Sequence, residues 1–203
     1  MTRRLDPRVR RTRESLREAL VALIIEKDYD SITIQNITDR ARLRRATFYL
    51  HYRDKSELLF TTLRELFDEL VEQINALPDP PLSPEYEKAV FKIILRHAEK
   101  HANLYRSVTT GPGSALTVRY IREYIFQVSR NRFDELNPPP LRAPFDVVAT
   151  YLATTKLHMA IWWLENDMPY SIDDMADMCT TLTLKGLHGL VPDETPAPNG
   201  KKE

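Results

Sequence analysis

Asp6-Pro7, Thr33, Asp54 and Ser83-Pro84 each stand directly before a run of apolar residues at helical spacing, and these start signals restrict the chain to a succession of helices. After the first of them, Leu16, Ala19, Leu20, Leu23 and Ile24 recur along one long helix that ends near Lys27. Thr33 caps a short second helix with Ile34, Ile37 and Ala41 on its inner face, and Leu43 sits in the turn that follows. A third helix runs from Arg44 or Arg45 to His51, with Phe48 and Tyr52 four apart on one side. Asp54 and Glu57 repeat the spacing of a capping box, so a fourth helix starts there and continues through Leu63, Phe67 and Ile74. The rear reads as further helices: Ser83-Pro84 to about His101, Asn103 to Thr110, Ser114 to about Leu136, Phe145 to Asn166, and Ser171 to Leu187. Strand-like alternation is confined to "SITIQ", too short for a sheet. The expected fold class is therefore all-α with about nine helices. It divides into a three-helix front domain at 1–54, a helical rear domain at 55–189 and a disordered tail at 190–203.

Composition removes several classes. The longest apolar run near the start, Ala19 to Ile25, falls far short of the ~20 residues a membrane span needs. Glu18 and Glu26 beside it also argue against a secretory signal, so no membrane partner is expected. Cys179 is the single cysteine, which leaves no internal disulfide and fits a reducing cytoplasm. The 5 glycines form no phosphate-cradling loop, and no nucleophile has a base partner at motif spacing. The chain is thus not expected to be an enzyme, and no cofactor or metal is implied. "HAEKH" sets His97 and His101 at i and i+4, but Glu99 is wrongly placed for a zinc-protease pattern; cations near a helix C-terminus are the simpler reading.

Net charge is zero, yet the two halves differ. Through Lys55 there are 14 Lys+Arg against 8 Asp+Glu; the remainder has 15 against 21. A basic front meets a polyanion while an acidic rear stays clear of it.

Three short helices with a tight turn between the last two make a helix-turn-helix, whose final helix enters the major groove of DNA. Phe48 then faces the core with Tyr52 close by, and Arg44, Arg45, Ala46 and Tyr49 point outward. Arginine forks onto guanine, and Ala46 suits a thymine methyl. Tyr49, His51 and Lys55 suit phosphate oxygens, and the cap at Thr33 offers amides and a hydroxyl to another, with Gln35 nearby. Loose arginines at Arg3, Arg4, Arg8, Arg10 and Arg11 are placed to track the backbone or reach a minor groove.

The run "TIQNITDRARLRRATFYLHYRDKSELL" resembles the TetR family of bacterial transcription regulators. That family's recognition region reads Thr-(Phe/Leu)-Tyr-x-His-(Phe/Tyr)-x-x-Lys-x-x-Leu, matched here at Thr47, Phe48, Tyr49, His51, Tyr52, Lys55 and Leu58. The resemblance implies that Thr33, Gln35, Arg44, Arg45, Ala46, Tyr49, Leu50, His51 and Lys55 face DNA. Arg42 stands in the turn where the family often has Gly, and Arg44 stands where Ser or Asn often caps the recognition helix. Both add positive charge where DNA would sit, and Arg42 poses a backbone question because Arg tolerates a positive φ poorly.

The resemblance further implies a rear domain that encloses an effector pocket and a homodimer through the last two helices. Tyr151, Thr155, His158, Met159 and Trp162 form a stripe on the penultimate helix, and Tyr120 with Tyr124 marks another; these are the expected pocket residues. "YLATTKLHMAIWWLENDMPYSIDDMA" is also weakly similar to a TetR subgroup that includes regulators of dihydroxyacetone metabolism. The expected function is a homodimeric, cytoplasmic repressor on a palindromic double-stranded DNA operator, released by a small-molecule effector. The alternatives are a helical DNA-binding regulator or adaptor that answers to a protein partner, and an all-α enzyme.

Overall fold

Asp6 accepts a hydrogen bond from the Arg8 amide at 2.8 Å and Pro7 takes the first helical position, so α1 spans Pro7–Glu26 in this computed structural model. The structure describes residues 6–78, 83–110, 114–136 and 143–186. The expected tail at 190–203 and the arginines Arg3 and Arg4 lie outside the described residues. A single 3-10 turn, Tyr29–Ser31, brings buried Ile32 under the start of α2, Ile34–Arg40. Thr33 and Asn36 close a reciprocal capping box there, each side chain accepting the other's amide at 3.1 Å.

The recognition helix α3 is shorter than expected, Arg45–Tyr49. Leu50 and His51 finish it as a tightened turn, with their amides donating to Thr47 and Phe48 carbonyls. Helix α4 then runs Lys55–Asn75, with Asp54 accepting the Glu57 amide at 2.8 Å. Glu57 reaches back one residue further than a capping box requires, to the Arg53 amide at 2.7 Å.

Behind these lie α5 (Pro84–Lys100), α6 (Ala102–Thr109), α7 (Ser114–Leu136), α8 (Phe145–Glu165) and α9 (Ile172–Lys185). The last helix ends two residues earlier than expected because Gly186, at φ 64°, caps it in the left-handed region. Among the described residues there are nine α-helices and no strand, and no helix is long and apolar enough to cross a membrane.

One apolar core runs through both parts. Leu16, Leu20, Ile37, Phe48 and Leu58 close the front, and Leu104, Tyr105 and Val108 of α6 carry the same cluster into the rear. In the rear, α8 packs against α5, α6 and α7, while α9 lies along α5. Lys88 and Lys92 on α5 pair with Asp177 and Asp173 on α9. Trp163 is fully buried and donates its indole N–H to the Tyr170 carbonyl at 2.9 Å, fixing the turn between α8 and α9.

Candidate nucleic-acid interface and rear cavity

The turn from α2 to α3 needs a left-handed residue, and the chain supplies arginine: Arg42 sits at φ 55°. That conformation costs an L side chain roughly 1–2 kcal/mol. It is held by local bonds, with the Arg42 amide donating to Asp39 and the Leu43 amide to Thr38 at 2.9 Å. Arg44 occupies the N-cap position of α3 and makes no side-chain cap hydrogen bond. The first amides of α3 are thus not satisfied by a cap, beside an exposed guanidinium.

Phe48 fixes how α3 is rotated. Its ring is completely buried, 5.9 Å from that of Tyr52, which is also buried, and 5.5 Å from that of Tyr49 in an edge-on contact. Arg44, Arg45 and Ala46 are exposed on the other side, with Tyr49 at 48% and Leu50 at 81% exposure. Arg45 donates to the Tyr49 hydroxyl at 3.3 Å with its guanidinium over the same ring, so the two form a braced pair. Thr33 and Gln35 lie exposed at the start of α2. The Thr33 oxygen is engaged by Asn36, which leaves its O–H to donate outward; Gln35 donates to Asp39 at 2.6 Å. His51 is half-buried, and burial together with Arg13 lowers its imidazole pKa, so it offers a hydrogen bond more readily than a charge.

Two expectations change here. Lys55 turns inward: its ammonium donates to the Tyr29 carbonyl at 2.7 Å and to Asp30 at 3.4 Å, and lies 4.1 Å from the Tyr29 ring centre. Those contacts desolvate it, which pushes its pKa down. Lys55 therefore ties the 3-10 turn to α4 and stands apart from the exposed set of Arg44, Arg45, Ala46 and Tyr49. Arg8, Arg10 and Arg11 belong to the first turns of α1, because Asp6 and Pro7 start the helix ahead of them; they are exposed helical side chains and not a loose arm.

In the rear, α4, α5, α7 and α8 surround a cavity of about 530 Å³, with Tyr105 and Thr109 of α6 forming its floor. Its walls are largely apolar, from residues such as Phe67, Val90, Ile94, Ile121 and Leu152. At the floor His97 Nε2 lies 2.7 Å from the Tyr105 hydroxyl. Burial and the neighbouring His101 lower the His97 pKa to about 4, and burial raises that of Tyr105. A protonated phenol donating into a neutral imidazole accounts for the contact. His97 is accordingly not the cation near a helix end that its sequence position suggests.

Of the expected pocket residues, Tyr124 lines the cavity, its hydroxyl donating to Asp68 at 2.6 Å. Tyr120 instead stacks on Phe60 at 4.4 Å, in a crevice by the start of α4. Tyr151, Thr155, His158, Met159 and Trp162 do not line the cavity: Tyr151 and Trp162 are 53% and 40% exposed, His158 is exposed, and Thr155 and Met159 are half-buried. The wall from α8 is the neighbouring stripe, Val148, Leu152, Lys156 and Ala160 among others. Because α8 is apolar on nearly all sides, periodicity does not choose between the stripes, and a shift of one residue turns the helix by about 100°. Lys156 and Arg132 in the lining escaped the sequence reading. Lys156 had a signal, as an isolated cation in a long apolar stretch, a kind of residue that is buried only with a partner.

Comparison with known proteins agrees with this geometry. The family model for bacterial regulatory proteins of the tetR family matches residues 16–62, and a transcriptional regulator C-terminal region model, TetR_C_8, matches residues 85–185. An uncharacterized HTH-type transcriptional regulator of Bacillus subtilis, YxbF, is 42% identical over 79 residues, 38% of this chain and 21% of that protein. IcaR of Staphylococcus epidermidis, the biofilm operon icaADBC negative transcriptional regulator, is 25% identical over 117 residues, 57% of this chain and 62% of its own length. The chain thus spans about a fifth and about three fifths of these curated relatives. Among solved structures, a TetR transcriptional regulator from Streptococcus agalactiae superposes with a TM-score of 0.61 at 24% identity, over 87% of this chain and 95% of that one. FadR from Bacillus subtilis, solved with stearoyl-CoA, gives 0.64 at 14%, over 86% and 99%. The dihydroxyacetone kinase operon activator DhaS gives 0.57 at 16%, over 87% and 96%. At these identities the structural likeness establishes the fold.

Proposed function

Since the chain belongs to the TetR family of transcriptional regulators and so is a DNA-binding protein, we propose that it is a homodimeric repressor that reads a palindromic operator and leaves it when a small molecule enters the rear cavity. The observation that carries this reading is the exposed Arg44-Arg45-Ala46-Tyr49 surface, held outward by the buried Phe48. Arg45 is assigned to a guanine edge, Ala46 to a thymine methyl, and Thr33, Tyr49 and His51 to phosphates. Gln35, Arg44 and Leu50 complete the contact face. The division into a DNA-binding unit at 1–54 and a rear unit at 55–189 follows from the start of α4 at Lys55.

Two copies join through α8 and α9, where Val147, Tyr151 and Trp162 leave an apolar surface open. This sets the two recognition helices about one helical turn of DNA apart, ~34 Å. Its place of action is the cytoplasm. A cavity of about 530 Å³ is of the size small-molecule sites have, which favours a ligand over a protein partner as the signal. Both routes from it to the DNA surface are short. Helix α4 begins beside the recognition helix and its later part, Phe67 to Asn75, lines the cavity. Helix α6 lines the cavity with Tyr105 and Thr109, and its Ser107 hydroxyl accepts the Tyr29 amide at 3.2 Å. A ligand shifts the pose of the front domain only as far as its affinity differs between the two poses.

The test is selection of duplexes from a random pool by the purified protein, then titration of the winner at several salt concentrations. A palindromic winner that beats random DNA by about 10³ or more is the expected result. No enrichment, or binding indifferent to salt, would overturn it.

A further inference from the structure

Four ring side chains that line the cavity meet at one place. The ring centre of Phe67 lies 5.4 Å from that of Tyr124, 6.1 Å from that of Tyr105 and 6.2 Å from that of His97. The polar atoms of this group are engaged by protein: Tyr105 and His97 share a hydrogen bond at 2.7 Å, and the Tyr124 hydroxyl donates to Asp68 at 2.6 Å. His97 carries no charge at neutral pH, since its pKa is lowered to about 4. What the group offers a guest is therefore ring surface. Elsewhere the lining is aliphatic, with Leu70 and Ile74 on α4 and Val90 and Ile94 on α5.

The cavity also has no charge to spare. Among the described residues no carboxylate lines it, and its two cations, Lys156 and Arg132, both have partners. The Lys156 ammonium is 2.9 Å from Glu87 Oε2, at ion-pair distance, and 5.7 Å from the centre of the Phe91 ring. Glu87 is almost completely buried and is not itself in the lining, so it matches the ammonium from within the protein. Arg132 has an interaction of its own. An ionised guest would give up its water for apolar walls and find the cations there already partnered, which makes its entry costly. An uncharged guest meets no such penalty.

We propose that the effector is an uncharged aromatic compound of low polarity, with its ring against Phe67, Tyr105 and Tyr124 and its apolar remainder along the aliphatic walls, and that the pairing of Lys156 with Glu87 turns ionised relatives away. This rests on the reading of the cavity as the effector site. Glu87 is then a positioning residue, acting on the guest only through Lys156. A guest seated at the rings lies against α4 through Phe67 and against α6 through Tyr105, the two helices that lead toward the DNA surface.

Calorimetric titration of the full-length protein with para-hexylacetophenone, para-hexylbenzoate and para-hexylbenzylammonium tests this, with the cyclohexane analogue of the ketone as the ring control. The ketone is expected to bind about tenfold or more tighter than either ion, and about fivefold tighter than its saturated analogue. Glu87→Gln leaves the Lys156 ammonium without its carboxylate and is expected to raise the ratio of benzoate to ketone affinity about tenfold. That change also costs stability, so the second variant is Lys156→Met with Glu87→Leu, which removes both charges together and is expected to keep the benzoate excluded. Either ion binding as tightly as the ketone, a saturated analogue that matches it, or no binding of the ketone overturns the proposal. So does an affinity ratio that Glu87→Gln leaves unchanged, or benzoate admitted by the double variant. The same samples are then scored on the selected operator. Ketone bound with the operator still held would refute ligand-driven release and leave the ligand assignment standing.

Discussion

Helices α3 and α8 pose the same question, which side faces what, and the chain answers it very differently in the two. In α3 a single large apolar residue, Phe48, sits among Arg44, Arg45, Ala46 and Tyr49, so burying one side commits all the others to solvent. In α8 apolar positions are spread around the helix, and only Asp146, Lys156 and Glu165 are carboxylates or amines. Any stripe of α8 can be buried, and the fold uses one for the cavity while leaving Tyr151 and Trp162 exposed. Amphipathicity orients a helix; uniform hydrophobicity only places it inside.

The contrast breaks most sharply at Phe48. Phe48→Ala removes the one anchor of α3 and is expected to cost about 3–5 kcal/mol of stability in urea unfolding, with operator binding lost alongside. A stable Phe48→Ala protein that still binds its operator would mean that α3 is oriented by something other than this ring. Next is Arg45→Ala, expected to weaken the selected operator by about 1–3 kcal/mol and to relax preference at one base, with the unfolding midpoint unchanged. Uniform weakening on every duplex would move Arg45 to a phosphate.

On α8 the two stripes are separable. Leu152→Trp fills the cavity and is expected to weaken binding of an apolar fluorescent dye there by about tenfold, whereas Tyr151→Ala leaves its affinity within about twofold and loosens self-association in sedimentation. The reverse pattern would show that the stripe of Tyr151, His158 and Trp162 is the ligand wall after all. The smallest effect is at Arg42→Gly. Relief of the left-handed strain, less the entropy that glycine adds to the unfolded chain, is expected to stabilise the protein by about 0.5–1 kcal/mol. A loss of stability there would show that the Arg42 side chain makes a compensating contact.

Legibility followed local chemistry. Thr33, Asp54 and Ser83 cap helices where their spacing predicts, because a cap is made within a few residues and needs nothing from the rest of the fold. The helix ends were less legible. Two residues of the recognition helix became a tightened turn, and the reach of Glu57 to Arg53 shifted the expected box by one residue. Lys55 shows the limit within the front domain itself. Its place in the motif suggested phosphate, but the Tyr29 carbonyl that it meets is 26 residues away in the chain.

By itself, then, the sequence determined the all-helical class, the helix-turn-helix, the buried Phe48 and the outward arginines, since each depends on contacts within a turn or two of helix. The tertiary structure alone decided which stripe of α8 meets the cavity and that Lys156 pairs with Glu87. It also decided that His97 is a neutral partner of Tyr105, and that α6 touches both the cavity and Tyr29. Those outcomes depend on which helices lie side by side, and four packed helices impose that arrangement on residues far apart in the chain.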